Sequence, residues 1–275
     1  YLYYIKMDKK DLIQTMDIAV LIPIKSTPDM NTFKHTDLYN FFFKSFFKYY
    51  NWEHRYTIYL GYQEDDKLYS NIKEQEDIKR HFDAMKNADV YMYPFPDKYK
   101  GNVVHIWNSL FDKAMMGNGG HNSYFLQCGS DIHFTNENFI NDAIKVLKEN
   151  KDIGVVGLQD KGRLQINPDD KLITQSIVSW KHYWIFNEYF PVELKNYGCD
   201  DWLTEIYEKE NLVYRLDQGF FNLGGAPRYS IDNLYKERID FCLDKYKNHI
   251  KNYISFQEQL SNLNGSQGVS HYIQE

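Results

Sequence analysis

Residues 18–25 read IAVLIPIK, an apolar run without alternation that follows the polar stretch DKKDLIQTMD and breaks at Ser26-Thr27-Pro28. A strand that is apolar on both faces has to be covered on both, as a central strand is in a parallel α/β sheet with helices on either side. The rest of the chain keeps that rhythm. YTIYLGY (56–62) predicts a second strand, closing on the acidic loop Gln63-Glu64-Asp65-Asp66, and VYMYP (90–94) predicts a third. The aromatic stretch 34–50 and the charged stretch 68–87 predict helices between them. NVVHIWNSLFDKAM sets Val104, Trp107, Leu110, Phe111 and Ala114 at helical spacing, and the glycines Gly117, Gly119 and Gly120 after it read as a turn. SYFLQCGSDIHF is a fourth strand, broken at Cys128-Gly129-Ser130-Asp131, and a helix over 137–149 leads to a fifth, IGVVGLQD (153–160). Alternation of this kind implies an α/β fold with a mostly parallel, doubly wound sheet and right-handed crossovers. Beyond about residue 234 the chain reads as helical and polar, loosening into a tail over 257–275.

Composition narrows the function. The 275 residues are 43% apolar and 25% charged, which places them among globular chains and outside the disordered and fibrous classes. The formal charge of −6 argues against a general nucleic-acid binder, whose affinity comes from a surplus of Lys and Arg. Aromatic residues reach 17%, including 24 Tyr, and read first as core mass. The three cysteines, Cys128, Cys199 and Cys242, form no metal-binding pair and favour a reducing, cytoplasmic setting. No run approaches a membrane span, so the chain reads as soluble as given. It begins at Tyr1, which leaves an upstream anchor or further domain open, and nothing in the sequence sets the oligomeric state.

Several chemistries fail at the motif level. The first strand runs into KSTPDM instead of the G-x-G-x-x-G that admits a pyrophosphate, so a nicotinamide or flavin enzyme is disfavoured. Walker A, H-E-x-x-H and G-x-S-x-G patterns are absent, and the nine histidines are scattered. What remains is acids after the strands, where open α/β sheets bind ligands. Asp65 and Asp66 follow the second strand, Asp131 the fourth, and Asp200-Asp201 open the amphipathic stretch WLTEIYEKE. An acid beside a diphosphate needs a bridging cation such as Mg²⁺ or Mn²⁺. The plain alternative for Asp131 and for Asp200-Asp201 is capping, since acids are favoured at turns and in the first turn of a helix.

In order and spacing, these pieces resemble a family 2 type glycosyltransferase of the GT-A fold over roughly residues 17–228. VLIPIKS resembles the family's opening strand, and YLGYQEDD its second strand, whose terminal acid reads the nucleotide base. GNVVHIWNSLFDKA resembles the helix ahead of the metal motif, and YFLQCGSDIHF stands where the D-x-D strand belongs. ITQSIVSWKHYWIFNEYFP and LKNYGCDDWLTEIYEKENLVYRL resemble the acceptor-side strand and the E-D motif with its helix and return strand. The metal motif departs from the pattern: Gly129-Ser130-Asp131 retains one acid. The resemblance implies Asp131 as the metal-ligating Asp, with His133 as a second ligand in a D-x-H arrangement or else a partly exposed strand residue.

The resemblance further implies a GT-A domain over 1–240, with a nucleotide-sugar half (17–133) and an acceptor half (134–240), followed by a helical extension (241–275). Pro23, Lys25, Thr27, Asp65, Asp66, Asn108 and Ser130 would contact the nucleotide-sugar. Trp180, His182 and Trp202 would contact the acceptor, a glycan, lipid or protein. Asp201 would be the general base of an inverting transfer, with Asp200 beside it. Arg228 would approach a phosphate or pair with a carboxylate. The reduced metal motif keeps an alternative in view, a nucleotide-sugar or carbohydrate binding module on the same fold with weakened catalysis.

Overall fold

The computed structural model describes residues 15–116, 122–224 and 233–267. Its strands are β1 (Asp17–Pro23), β2 (Arg55–Gln63), β3 (Ala88–Phe95), β4 (Tyr124–Gln127), β5 (Ile132–Phe134), β6 (Val155–Asp160), β7 (Ser176–Ser179) and β8 (Val213–Asn222). They form one eight-stranded sheet in the order β3-β2-β1-β4-β7-β6-β8-β5. The helices are α1 (Lys44–Tyr49), α2 (Ile72–Phe82), α3 (Val103–Met116), α4 (Phe139–Glu149), α5 (Lys161–Ile166), α6 (Lys181–Phe186), α7 (Cys199–Glu208), α8 (Tyr235–Tyr246) and α9 (His249–Gln267).

The unbroken apolar run becomes a central strand covered on both faces. Ile18, Val20 and Ile22 of β1 enter one core with Phe42, Phe46, Ile78 and Phe82. Ala19 and Leu21 enter the other, with Trp107, Leu110 and Phe111 of α3. β1 pairs in parallel with β2 from Asp17 opposite Arg55 to Pro23 opposite Gly61, so the carboxyl ends of both strands open at one edge. Gly61 permits the close approach of α3: a Cβ there would lie 2.5 Å from a side-chain carbon of Ile106. The aromatic surplus goes into core, as in the stacked pair Phe134 and Phe139, whose centroids are 4.6 Å apart.

The aromatic stretch expected as one helix is a π-helical segment, Leu38–Phe43, running into α1. Ser45 marks the join, donating to the carbonyl of Phe41 at 2.6 Å and accepting from the Phe134 amide at 3.0 Å. The parallel sheet also needs correction. β7 is antiparallel to β4 and to β6, and β5 is antiparallel to β8. The physical reason is the connection: α5 and the loop after it stay at the end of the sheet where β6 finishes, and a chain that does not cross the sheet must return antiparallel. The turn 128–131 joins β4 to β5, four places away in the sheet, so the second half of the sheet curls back.

The tail expected to loosen from residue 257 is helical through Gln267. The expected start of the extension, residue 241, falls inside α8, whose Ile239, Cys242 and Leu243 share one core with Trp202 of α7. The three cysteines are free and buried. Among the described residues no helix is long and apolar enough to cross a membrane. The glycines at 117, 119 and 120 and the segment 225–232, with Arg228, lie outside the described residues.

Candidate active site

A cleft of about 1420 Å³ opens along the carboxyl ends of β1, β2, β4, β6 and β8. Pro23, Lys25, Thr27, Asp65, Asp66, Ser130, Asp131, Asp200 and Asp201 all line it.

The acids at the end of β2 are already bonded. Asp66 accepts from the amide and hydroxyl of Ser26, at 2.7 and 2.8 Å, and from the amides of Leu68 and Tyr69, at 3.1 and 3.0 Å. It therefore ties the loop after β1 to the loop after β2. Asp65 is paired with Lys100 at 2.7 Å on the exposed rim, where that ammonium holds its carboxyl below the usual range.

Asp131 differs. Its backbone is fixed by the Leu223 amide donating to its carbonyl at 2.9 Å, and the turn before it is held by the Gly129 amide donating to Gln175 Oε1 at 2.9 Å. Its carboxylate lies against the backbone on two sides: a Cβ on Gly129 would stand 2.5 Å from Oδ1, and one on Gly224 would collide with Oδ2. Burial raises its proton affinity, which only its own backbone amide partly offsets.

Asp200 and Asp201 occupy the first turn of α7. Gly198 begins that helix at φ 86°, in the left-handed region, and a Cβ there would be 2.8 Å from Ile239. Glycine is thus required twice over at this position. Burial, and then the neighbouring charge of Asp201, push the Asp200 carboxyl up to about 7. The Cys199 thiol lies 3.6 Å from Asp200 Oδ1. Asp160, also on the cleft, caps α5 through the amides of Gly162 and Arg163.

Five sequence expectations are corrected by position. Asn108 is a buried clamp, accepting from the amides of Tyr189 and Phe190 and donating to the carbonyl of Phe190 at 2.7 Å. His182 is buried between the Tyr207 hydroxyl at 2.8 Å and the Tyr189 carbonyl at 3.0 Å. The carbonyl requires Nε2–H, which leaves Nδ1 to accept from the tyrosine. Burial brings this imidazole down to about 4. Trp202 is fully buried against Phe186 and Tyr246. Trp180 follows Ser179, which pairs with Tyr124 at the start of β4, so the antiparallel turn of β7 carries it to the end of the sheet away from the cleft. His133 pairs with Phe221 within β5 and does not line the cleft. Among the described residues no three His, Cys, Asp or Glu side chains converge as metal ligands.

Three cleft residues that the sequence reading passed over carry a buried polar atom without a hydrogen-bond partner: Gln63 Oε1, Trp107 Nε1 and Thr174 Oγ1. For Gln63 a signal existed, because Tyr59, Gly61 and Gln63 share one face of β2 and an amide ends that otherwise apolar face.

No family model matches the chain, and no curated protein matches it. Solved structures of similar fold do exist. The crystal structure of S. aureus TarS 1-349 superposes with a TM-score of 0.50 at 14% identity, over 75% of this chain and 60% of that one. The crystal structure of S. aureus TarS gives a TM-score of 0.51 at 13% identity, over 82% of this chain and 38% of that one. This chain thus spans less than two thirds of either. At such identities the likeness is one of fold: a mixed α/β, curled eight-stranded sheet with helices, similar to that of the TarS structures.

Proposed function

We propose that this chain is a glycosyltransferase that moves a sugar from a nucleoside diphosphate sugar to an acceptor hydroxyl, with inversion at the anomeric carbon. The observation that carries the reading is that Asp131 and the pair Asp200-Asp201 line one cleft at the carboxyl ends of the strands. The glycosyltransferase-like fold supports it.

The residues at Asp131 fit a divalent cation in one specific way. A lone carboxylate is too little for an all-protein site, yet Mg²⁺ is commonly bound by one or two carboxylates together with substrate phosphates. Asp131 would hold it, and the cation, when bound, would neutralise the charge developing on the departing diphosphate. Gly129, Gly224 and Gln175 hold that carboxylate in place.

On the acceptor side, Asp201 takes the proton from the attacking hydroxyl, with Asp200 beside it in the first turn of α7. Burial, and then the neighbouring charge of Asp201, raise the Asp200 carboxyl to about 7.

The test separates chemistry from binding. Asp201→Asn lowers the acceptor-dependent rate by about a hundred- to ten-thousand-fold and leaves nucleotide-sugar affinity unchanged, because a base acts in the transition state. A capping Asp would instead lose about 1 kcal/mol of stability and little activity. The single acid of the metal motif favours one further reading, a module that binds nucleotide-sugar without turnover. Incubating the chain with UDP- and GDP-sugars and Mn²⁺ decides it, since release of the nucleoside diphosphate requires an enzyme.

A further inference from the structure

We infer that the end of the sheet opposite the cleft docks on a phospholipid bilayer, with exposed indoles at headgroup depth and lysines against the lipid phosphates. This surface is separate from the cleft, and its role does not depend on the reaction proposed above.

Of the five tryptophans, Trp107 and Trp202 are buried and three are exposed, Trp52 at 54%, Trp180 at 38% and Trp184 at 65%. The exposed three gather at one end. Trp52 precedes β2, and its carbonyl accepts from the side chain of Asn87, just before β3. Trp180 follows β7, and its amide donates to the carbonyl of Ser123, just before β4. Trp184 lies one turn further along α6, on the same side as Trp180. Met116, also exposed, ends α3 here, that helix having begun at the cleft with Val103. Three strand spacings separate β2 from β7, so the patch is roughly 15 Å across.

Two of these indoles carry an ammonium, and that pairing decides between occupants. Lys86 Nζ stands 4.1 Å from the centre of the Trp52 ring, and Lys181 Nζ 5.6 Å from that of Trp180. At Trp52 the lysine already covers the ring face on which a sugar would stack. An interface with another protein is depleted of lysine at its core. Indoles flanked by lysine stems instead suit the membrane–water boundary, where the ring sits among the headgroups and the ammonium reaches a phosphate. Two acids at this end are engaged: Asp17 pairs with Arg55 at 2.6 Å, and Asp152 accepts from the Tyr124 hydroxyl at 2.7 Å. The cleft, by contrast, is lined by six aspartates and four basic side chains. A chain of net charge −6 therefore meets an anionic surface with its cleft turned away.

The orientation has a consequence. β2 runs nine residues from this end to the cleft, roughly 30 Å. A docked chain holds its cleft in water, a strand's length from the headgroups.

The experiment is co-sedimentation of the full chain with vesicles of phosphatidylcholine alone and of equal parts phosphatidylcholine and phosphatidylglycerol. The wild type pellets with the mixed vesicles, and added salt weakens the binding. The variant Trp52→Ala/Trp180→Ala/Trp184→Ala lowers the partition coefficient by about tenfold or more, and Lys86→Gln/Lys181→Gln lowers it on mixed vesicles by a similar factor. A second readout needs no variant: lipids brominated close to the headgroup quench the fluorescence of the wild type, because the exposed indoles enter the bilayer surface. Failure of the wild type to pellet with mixed vesicles overturns the inference. Binding without quenching, or binding that both variants retain, places the contact elsewhere and overturns it too. A wild type that self-associates without lipid, while the tryptophan variant stays monomeric, assigns the patch to a second copy of the chain and overturns it equally.

Discussion

The end of β2 and the start of α7 both present two consecutive acids to one cleft, and they use them in opposite ways. At β2, Asp66 accepts four hydrogen bonds from the chain and Asp65 is paired with Lys100. At α7, Asp200 has a nearby thiol and a like charge beside it, and its proton affinity rises to about 7. Partner count separates the roles. An acid surrounded by donors is a structural tie, whereas an acid desolvated beside another acid is held ready to take up a proton. At Asp131, too, burial raises the proton affinity.

The largest effect that would break this comparison is kinetic. If Asp201→Asn leaves transfer within a few-fold of wild type, the acids of α7 are caps like those of any helix, and the two regions do not differ. In the expected outcome the residual pH dependence is equally informative. Removing the Asp201 charge takes away one of the two causes that raise the Asp200 carboxyl, so any pH dependence that Asp200 gives the residual rate moves to lower pH.

Next in size is Asp66→Ala. Charge-assisted hydrogen bonds contribute roughly 1.5–3 kcal/mol each and are not additive, so losing all four costs about 3–4 kcal/mol in urea unfolding. A loss below about 1 kcal/mol would remove Asp66 from the class of structural ties.

The α7 acids also leave a mark on stability. The Asp200 carboxyl is raised from 3.8 to about 7, so the folded state favours its neutral form. That contribution is complete below the lower value and is lost as pH rises through the upper one. Asp200→Asn keeps the shape without the charge and should stabilise the protein at pH 8 by up to about 4 kcal/mol, with no gain at pH 4. His182, bonded to Tyr207 of α7, works in the other direction. Its imidazole falls from 6.5 to about 4, so its contribution is full above 6.5 and is lost as pH falls towards 4, by about 3 kcal/mol. His182→Gln should flatten that acid limb in denaturation curves measured from pH 7.5 to pH 4, and an unchanged limb would assign it to other groups.

Much of this was legible in the sequence, and the failures have specific causes. The run of β1 identified a strand covered on both faces because no surface strand is apolar throughout. The apolar positions of α3 located that helix, and the same spacing assigns Trp202 to the core: Cys199, Trp202, Leu203, Ile206 and Tyr207 form one buried stripe. Resemblance placed Trp202 in the cleft where periodicity alone would have buried it. The direction of β7 could not be read, because SIVS is equally apolar in a parallel or an antiparallel strand, and with it went the location of Trp180. Asp66 and Asp200 are the same residue type, each next to a second aspartate; the donors brought from Ser26, forty residues away, tell them apart.

The smallest expected effect is the sharpest check on the β2 acids. Asp65 meets Lys100 on the rim with both side chains largely in solvent, at 42% and 60% exposed. Such pairs contribute little, because water already screens both charges and the long lysine side chain loses freedom when it is held. Asp65→Asn should therefore leave unfolding unchanged within error. If the acids of β2 are ties and nothing more, it should also leave the affinities for UDP and CDP within about twofold of wild type, with their ratio unmoved. A change in the ratio would mean that Asp65 leaves Lys100 and turns to the base when a nucleotide enters. The end of β2 would then carry a ligand-binding acid as α7 does, and the contrast between the two regions would reduce to Asp66 alone.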